Sequence, residues 1–269
     1  MNIARYLLAA RVVLVLCLTV PAAAQQTPVQ AHGQLRVVGN RIVDQHGQPV
    51  QLRGMSLYWS QWKPQYYNAA AIKWLRDDWN CTVVRAAMAV ESGGYLTNPD
   101  AEKKRIRAVV NAAIDLGIYV IIDWHDHNAD KHTTQAKAFF GEMAQEYGKR
   151  PNIIYEVWNE PLRRHDWSTV IKPYHQAVIS SIRARDPDNL IICGTPSWSQ
   201  DVDKAAADPL EPDNVAYTLH FYASSHKQWL RDKAQAALDK GIAIVVSEWG
   251  MTEANGSGKL DQAETRAWR

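Results

Sequence analysis

The sequence predicts an α/β fold in which parallel strands wrap into a barrel. Short apolar runs rich in Val and Ile start near Val50, Val83, Tyr119, Asn152, Leu190, Val215 and Ala243, as fully buried parallel strands do. Segments with helical spacing lie between them, and that alternation implies strands joined by helical crossovers. Polar residues stand where the runs end: Arg85, His125, Glu160, His220 and Glu248. An open doubly wound sheet also fits the alternation. It is disfavoured because Met55-Ser56-Leu57-Tyr58-Trp59 follows the first run, where a dinucleotide-binding sheet needs glycines. A barrel gathers the C-terminal ends of all its strands at one mouth, which gives the recurring polar residues a common place. No cofactor is expected.

The elements follow in order. The opening stretch, MNIARYLLAARVVLVLCLTVPAAAQQ, has the parts of a secretory signal: Arg5 and Arg11, an apolar core from Val12 to Val20, and the small residues Ala22-Ala23-Ala24. The apolar core is too short for a comfortable membrane span. Leu16 before Cys17 argues against a lipid-anchored cysteine. Residues 1–24 are therefore expected to be removed on export, leaving a secreted or periplasmic chain. Residues 25–32 form a short N-terminal segment, and 33–269 a single domain. Residues 35–50 read as a small hairpin, with turn signals at Gly39-Asn40 and His46-Gly47. Residues 98–117 are the clearest helix: Asn98 at the cap, Pro99 in the first turn, Gly117 after the end. Residues 227–241 repeat the scheme, with Trp229, Leu230, Ala234 and Ala237 expected inward. Pro173 should split the start of a helix over 166–185.

Composition narrows the partners. Without Arg5 and Arg11, the 30 basic residues become 28 and equal the 28 acidic ones. A neutral chain without a basic patch gives nucleic acid nothing to hold. Cys81 and Cys193 remain after the signal, too few for a disulfide scaffold, and whether they pair is open. The aromatics are 11 Trp and 11 Tyr against only 3 Phe. Trp and Tyr join a flat apolar face to a polar edge, which suits sugar rings. A monomer is expected.

The polar strand ends carry the chemistry. In IIYEVWNEP, residues 153–161, a buried strand is expected to finish at Glu160 beside Asn159. In AIVVSEWG, residues 243–250, Glu248 follows another Ile/Val run. Two carboxylates on one rim are what glycosidic bond cleavage needs: one protonates the leaving oxygen, the other attacks the sugar or activates water. Arg85 in VVRAAM would keep a neighbouring carboxylate ionised. Tyr222 in LHFYA could bind the nucleophile, and His125 and His220 could hold hydroxyls or orient the carboxylates. His125-Asp126-His127 also permits a zinc reading. It is disfavoured because the second His is expected to lie already in the loop beyond the strand, and because it leaves both glutamates idle; no metal is expected.

These residues resemble glycoside hydrolase family 5, in its bacterial-type endo-β-1,4-glucanase branch. The matching stretches are LRGMSLYWSQW, TVVRAAMAVESGGYLTNP, VIIDWHDH, IIYEVWNEP, VIKPYH, IICGTPSWSQDVD, LHFYA and VVSEWG, in family order from about residue 33 to 250. The resemblance implies a TIM (β/α)8 barrel, a retaining double displacement and a β-1,4-glucan substrate. It implies Glu160 as acid/base and Glu248 as nucleophile. Arg85, His125, Asn159, His220 and Tyr222 fall on its other active-site positions. Trp62 and Trp198 match aromatic platforms that flank the scissile bond, with Tyr58 and Trp59 as weaker substrate-binding candidates. A mannanase or xylanase of the same superfamily, or a glycan-binding relative without turnover, are the alternatives.

One departure stands out. The family places a further Trp at the end of strand eight, often followed by a lysine, and this chain reaches Arg269 after about seven strands. The barrel is thus expected to be incomplete, with its first and last strands unpaired along facing edges. Such edges cost backbone hydrogen bonds and invite aggregation, so an unstable and weakly active chain is expected.

Overall fold

The computed structural model describes residues 26–211 and 213–269; the expected signal lies outside them. The main sheet has seven parallel strands: β3 (Gly54–Ser56), β4 (Val83–Ala89), β5 (Tyr119–His125), β6 (Ile153–Glu156), β7 (Leu190–Cys193), β8 (Val215–Tyr222) and β9 (Ile244–Gly250). Each pairs with the next in chain order, and β3 and β9 end the sheet. This is the barrel expected from the sequence, incomplete between its end strands. A two-stranded antiparallel hairpin, β1 (Arg36–Val38) and β2 (Arg41–Val43), precedes it.

Alternation along each strand builds two apolar cores. Side chains of one parity point outward and pack against helices: Val84, Ala86 and Met88 of β4, Val120, Ile122 and Trp124 of β5, Ile153 and Tyr155 of β6. The other parity fills the barrel. Tyr119, Ile121, Ile154, Leu190, Ile192, Ala216 and Ala243 form a compact interior cluster together with Leu35, and Val37 and Ile42 pack against it. The hairpin therefore plugs the end of the barrel where the strands begin. Above the plug, the same parity continues as polar residues.

The strand from Val50 is shorter than expected. The Val50 N–H donates to the Ile42 carbonyl and extends the hairpin instead. The sheet proper begins at Gly54, where a Cβ would stand 1.7 Å from the Val83 carbonyl oxygen. Full burial also fails at the two ends of the sheet. All three residues of β3 are exposed, and β9 is only partly covered, with Val246 and Trp249 at 40% and 45% exposure. Among the described residues neither strand has a partner on its outer edge.

The helices follow their punctuation. Pro99–Leu116 ends on a left-handed Gly117 (φ 67°) whose N–H donates to the carbonyls of Ala113 and Ile114. Pro173 does divide its helix: a π-helical turn, Trp167–Ile171, precedes the α-helix Lys172–Arg183. In Gln228–Asp239, Leu230 and Ala237 are buried and Ala234 packs against the core. Trp229, expected inward, is exposed instead. It sits a third of a turn from Leu230, with its ring against His226 and Lys233. Cys81 and Cys193 are both buried and unpaired. No helix among the described residues is long and apolar enough to cross a membrane.

Candidate active site

Arg85 organises the mouth of the barrel. It is the third residue of β4, not its end, and its guanidinium is buried on the interior parity. Ala87 and Ala89 follow on the same face and leave room above it. Nε donates to Glu156 Oε2 at 2.6 Å, and Nη2 to Asn159 Oδ1 at 2.7 Å, with Asp123 Oδ2 2.9 Å from Nη2. Nη1 reaches Ser56 at 3.1 Å and Glu248 Oε2 at 3.0 Å. One side chain thus ties together β3, β4, β5, β6 and β9 through charge-assisted bonds.

Glu248 is aimed by a shift in register. Thr218 faces Val245, but His220 faces Glu248, so β9 spends one residue more than β8 over this stretch. The extra residue lets Ser247 and Glu248 both address the interior. Ser247 donates to Glu156 at 2.6 Å. The Tyr222 hydroxyl donates to Glu248 Oε1 at 2.6 Å. Burial works against the Glu248 charge, but His220 and Arg85 outweigh it and hold the carboxyl below its usual range.

Glu160 does not end a strand. β6 stops at Glu156, and residues 157–161 continue along the mouth as an irregular segment. The Asn159 N–H donates to the Trp124 carbonyl at 3.1 Å, and the Glu160 N–H to the Asp126 carbonyl at 3.4 Å. The Glu160 carboxylate lies between two imidazoles: His127 Nε2 is 3.1 Å from Oε2, and His220 Nδ1 is 3.0 Å from Oε1. Burial opposes ionisation of Glu160, yet these two partners hold its carboxyl well below the usual range. His220 is the complement. Burial disfavours its charge, but the Glu156 and Glu160 carboxylates raise it to about 10. His127 is raised by its bond to Glu160. The imidazoles thus favour the ionised form of Glu160, and Glu160 in turn favours their charged forms. An oxygen of Glu160, a nitrogen of His220 and an oxygen of Glu248 all lie within 4.8 Å of one another.

Of the expected residues, Arg85, Asn159, Glu160, His220, Tyr222 and Glu248 meet in this one network. His125 joins it through Asp123, whose Oδ2 lies 2.6 Å from His125 Nδ1 and 2.9 Å from Arg85 Nη2. The aromatic candidates rim the mouth rather than join the network. Trp59 meets His125 edge-on at 4.3 Å between ring centroids, and Trp62 and Tyr58 extend outward from it. Tyr58, Trp62 and Trp198 are exposed, with Trp198 on the side of the Glu160 segment. Four participants were not anticipated in these roles: Asp123, Glu156, His127 and Ser247. Asp123 and Glu156 were readable, since counting by twos from Ile121 and Ile154 along the interior parity reaches them.

The zinc reading of His125-Asp126-His127 does not match the contacts. His125 Nδ1 is committed to Asp123 and His127 Nε2 to Glu160, and neither ring belongs to a close group of three metal-ligating side chains among the described residues. Glu160, His220 and Glu248 are close enough to hold a cation. His220 already meets Glu160 and Ser247 through its two nitrogens, however, and a cation would have to displace them.

The relatives agree with this architecture. A family model described as Cellulase (glycosyl hydrolase family 5) matches residues 43–269. The chain belongs to glycosyl hydrolase family 5. Within that family it is 51% identical over 239 residues to an endoglucanase of Clostridium saccharobutylicum, covering 88% of this chain and 53% of that one. It is 48% identical over 256 residues to endoglucanase Z of Dickeya dadantii, covering 94% and 58%. This family 5 chain thus spans a little over half the length of those curated relatives. Among solved structures, one from Cytophaga hutchinsonii superposes with a TM-score of 0.90 at 57% identity, covering 90% of this chain and 79% of that one. The catalytic domain of a Thermobifida fusca endoglucanase superposes with a TM-score of 0.86 at 34% identity, covering 90% and 82%.

Proposed function

We propose that this chain is a retaining endo-β-1,4-glucanase that cleaves cellulose or related β-glucans. The observation that carries the reading is the approach of Glu160 and Glu248 to within 4.8 Å across the mouth of the barrel. Retaining glycosidases keep their carboxyl groups about 5–5.5 Å apart, whereas inverting ones leave room for a water at about 6.5–9.5 Å. Direct attack by one carboxylate suits the shorter spacing.

In the first step Glu248 attacks the anomeric carbon and forms a glycosyl ester. The bond to the leaving oxygen breaks, and that oxygen takes a proton from Glu160. In the second step Glu160 removes a proton from water, which attacks the same carbon and frees Glu248. Arg85 and Tyr222 hold the nucleophile ionised and aimed. The proton for the first step is drawn from His127, whose side chain is one-third exposed. A glycosidic oxygen that displaces it leaves the proton on Glu160. In this reading Asn159 would meet the 2-hydroxyl of the attacked sugar, and Trp62 and Trp198 would offer apolar faces to neighbouring rings. The polymeric substrate fits the export expected from residues 1–24.

Reducing-end release from carboxymethylcellulose, mannan and xylan, with proton NMR of the first anomer formed, tests this reading. Hydrolysis of the glucan with β-anomer released first is expected. Initial α-anomer would refute retention, and preference for mannan or xylan would redirect the substrate. Binding to cellulose without hydrolysis, unchanged by Glu160→Gln, would mark a glycan-binding protein.

A further inference from the structure

The segment Pro196–Ser199 contains an unusual backbone. Ser197 and Trp198 have φ/ψ of 58°/52° and 59°/47°, and Ser199 has φ 57°. Three consecutive L-residues thus follow a left-handed helical path, which their Cβ atoms disfavour. Six non-glycine residues with positive φ occur among the described residues, and half are in this one turn. Strain of this kind persists only where surrounding bonds over-determine it.

Those bonds lead to Glu160. The buried Ser199 hydroxyl donates to the Asn159 carbonyl at 2.8 Å, and the Trp198 N–H donates to the Pro161 carbonyl at 2.8 Å. The turn therefore grips the backbone on both sides of Glu160. The opposite edge of the same segment is held by the end of β5 and the residue after it, through the bonds to Trp124 and Asp126. The turn is closed internally as well. Ser199 accepts from the Thr195 N–H, and Ser197 donates to Asp201, which Lys233 holds in turn. Gly194 makes the approach possible, because a Cβ there would stand 2.1 Å from the Trp158 carbonyl oxygen.

We propose that the left-handed turn Ser197–Ser199 is a positioning element for proton transfer, with Ser199 setting the backbone from which Glu160 reaches the leaving oxygen. Trp198 rides on the same turn, so the sugar stacked on it and the acid share one rigid support. The inference rests on Glu160 being the acid.

Leaving-group dependence tests it. A misplaced acid slows departure of a poor leaving group and hardly affects one that needs no proton. Ser199→Ala is expected to lower kcat/KM for phenyl β-cellobioside by about tenfold or more and for the 2,4-dinitrophenyl analogue by less than about twofold. Ser199→Gly accommodates positive φ without strain, so it keeps the turn should the alanine variant fold poorly, and it is expected to show the same selective loss. A second readout needs no turnover. The NMR titration of His127, which senses the Glu160 carboxylate, is expected to move down toward 6.5 in both variants. Equal losses on the two substrates, or no loss with His127 unmoved, would overturn the proposal. Glu160→Gln measured in parallel separates the two ideas: if it lacks leaving-group dependence, the acid assignment fails instead.

Discussion

Strands β4 to β8 and strands β3 and β9 belong to one sheet but live in different surroundings. The five middle strands are buried almost throughout, with helices outside and a packed or polar interior. Among the described residues the two end strands are open along one edge and lightly covered. The candidate catalytic pair straddles that divide. Glu160 follows an enclosed strand; its backbone is held by bonds to Trp124, to Asp126 and to the 197–199 turn, and its carboxylate by His127 and His220. Glu248 stands on the open strand and is held by side chains: Arg85, Tyr222, and Ser247 through Glu156. Charged hydrogen bonds hold both carboxylates, but the backbone beside Glu160 is gripped along two edges, whereas that of Glu248 pairs only with β8 among the described residues. Loss of a single side-chain tether should therefore displace Glu248 more than Glu160.

The largest expected effects concern the two glutamates. Glu248→Gln should lower kcat on soluble glucan by on the order of 10⁴-fold or more, and Glu160→Gln by about 10²–10⁴-fold. A Glu248→Gln variant with near-normal turnover would remove the nucleophile from the scheme. Stability comes next. Arg85→Ala strands several buried carboxylates and should cost about 3–5 kcal/mol in urea denaturation. Val246→Lys, on the open strand, should cost less than about 0.5 kcal/mol and reduce self-association seen by light scattering. Comparable destabilisation by both would erase the contrast between the strands.

A smaller effect is the pH dependence of stability set by His220. Its pKa rises from 6.5 to about 10 on folding, so the folded state binds its proton more tightly than the unfolded chain. That contribution is complete below pH 6.5 and disappears as pH rises through 10, and Tm should fall across this window. Glu156 runs the opposite way. Its pKa drops from 4.5 to about 2, so its contribution is present above pH 4.5 and is lost as pH falls through 2. His220→Gln should flatten the alkaline slope and weaken the acid one less, because Arg85 still holds Glu156 down when His220 no longer does. A retained alkaline slope in that variant would assign it to another group. The smallest effect is at the rim. Trp62→Ala should raise KM for cellohexaose by roughly tenfold, about 1–2 kcal/mol of lost stacking, with Tm unchanged. A loss confined to kcat would move Trp62 out of substrate binding.

Much of the fold was legible because helix punctuation and the Val/Ile runs agree with each other. Gly117 and Pro173 mark real ends and breaks, and β4 to β9 begin within a residue of the positions read from the sequence. The site was legible as a set of residues but not as a geometry. Glu160 reads as a strand end, yet the strand stops at Glu156: Val157 still donates to Ile192 of β7, while Asn159 and Glu160 turn to the carbonyls of Trp124 and Asp126. The extra residue at Ser247 has no local signature, since Ser-Glu-Trp suits a regular strand as well as a shifted one. Neither Gly nor Asn announces the left-handed turn at Pro196-Ser197-Trp198-Ser199; tertiary hydrogen bonds impose it. Trp229 shows the same limit in reverse. Its hydrophobicity points inward, while the helix rotation that seats Leu230 leaves it outside.

The most direct measurement is covalent trapping. An activated 2-deoxy-2-fluoro-β-cellobioside slows hydrolysis of the glycosyl ester so that the labelled residue can be found by peptide mass spectrometry. Nucleophilic attack by Glu248 predicts one fluorocellobiosyl group on the peptide containing Ser247-Glu248-Trp249, and no label in Glu248→Gln. A label on Glu160, or turnover with no covalent species and an inverted anomer, would contradict the two-glutamate double displacement.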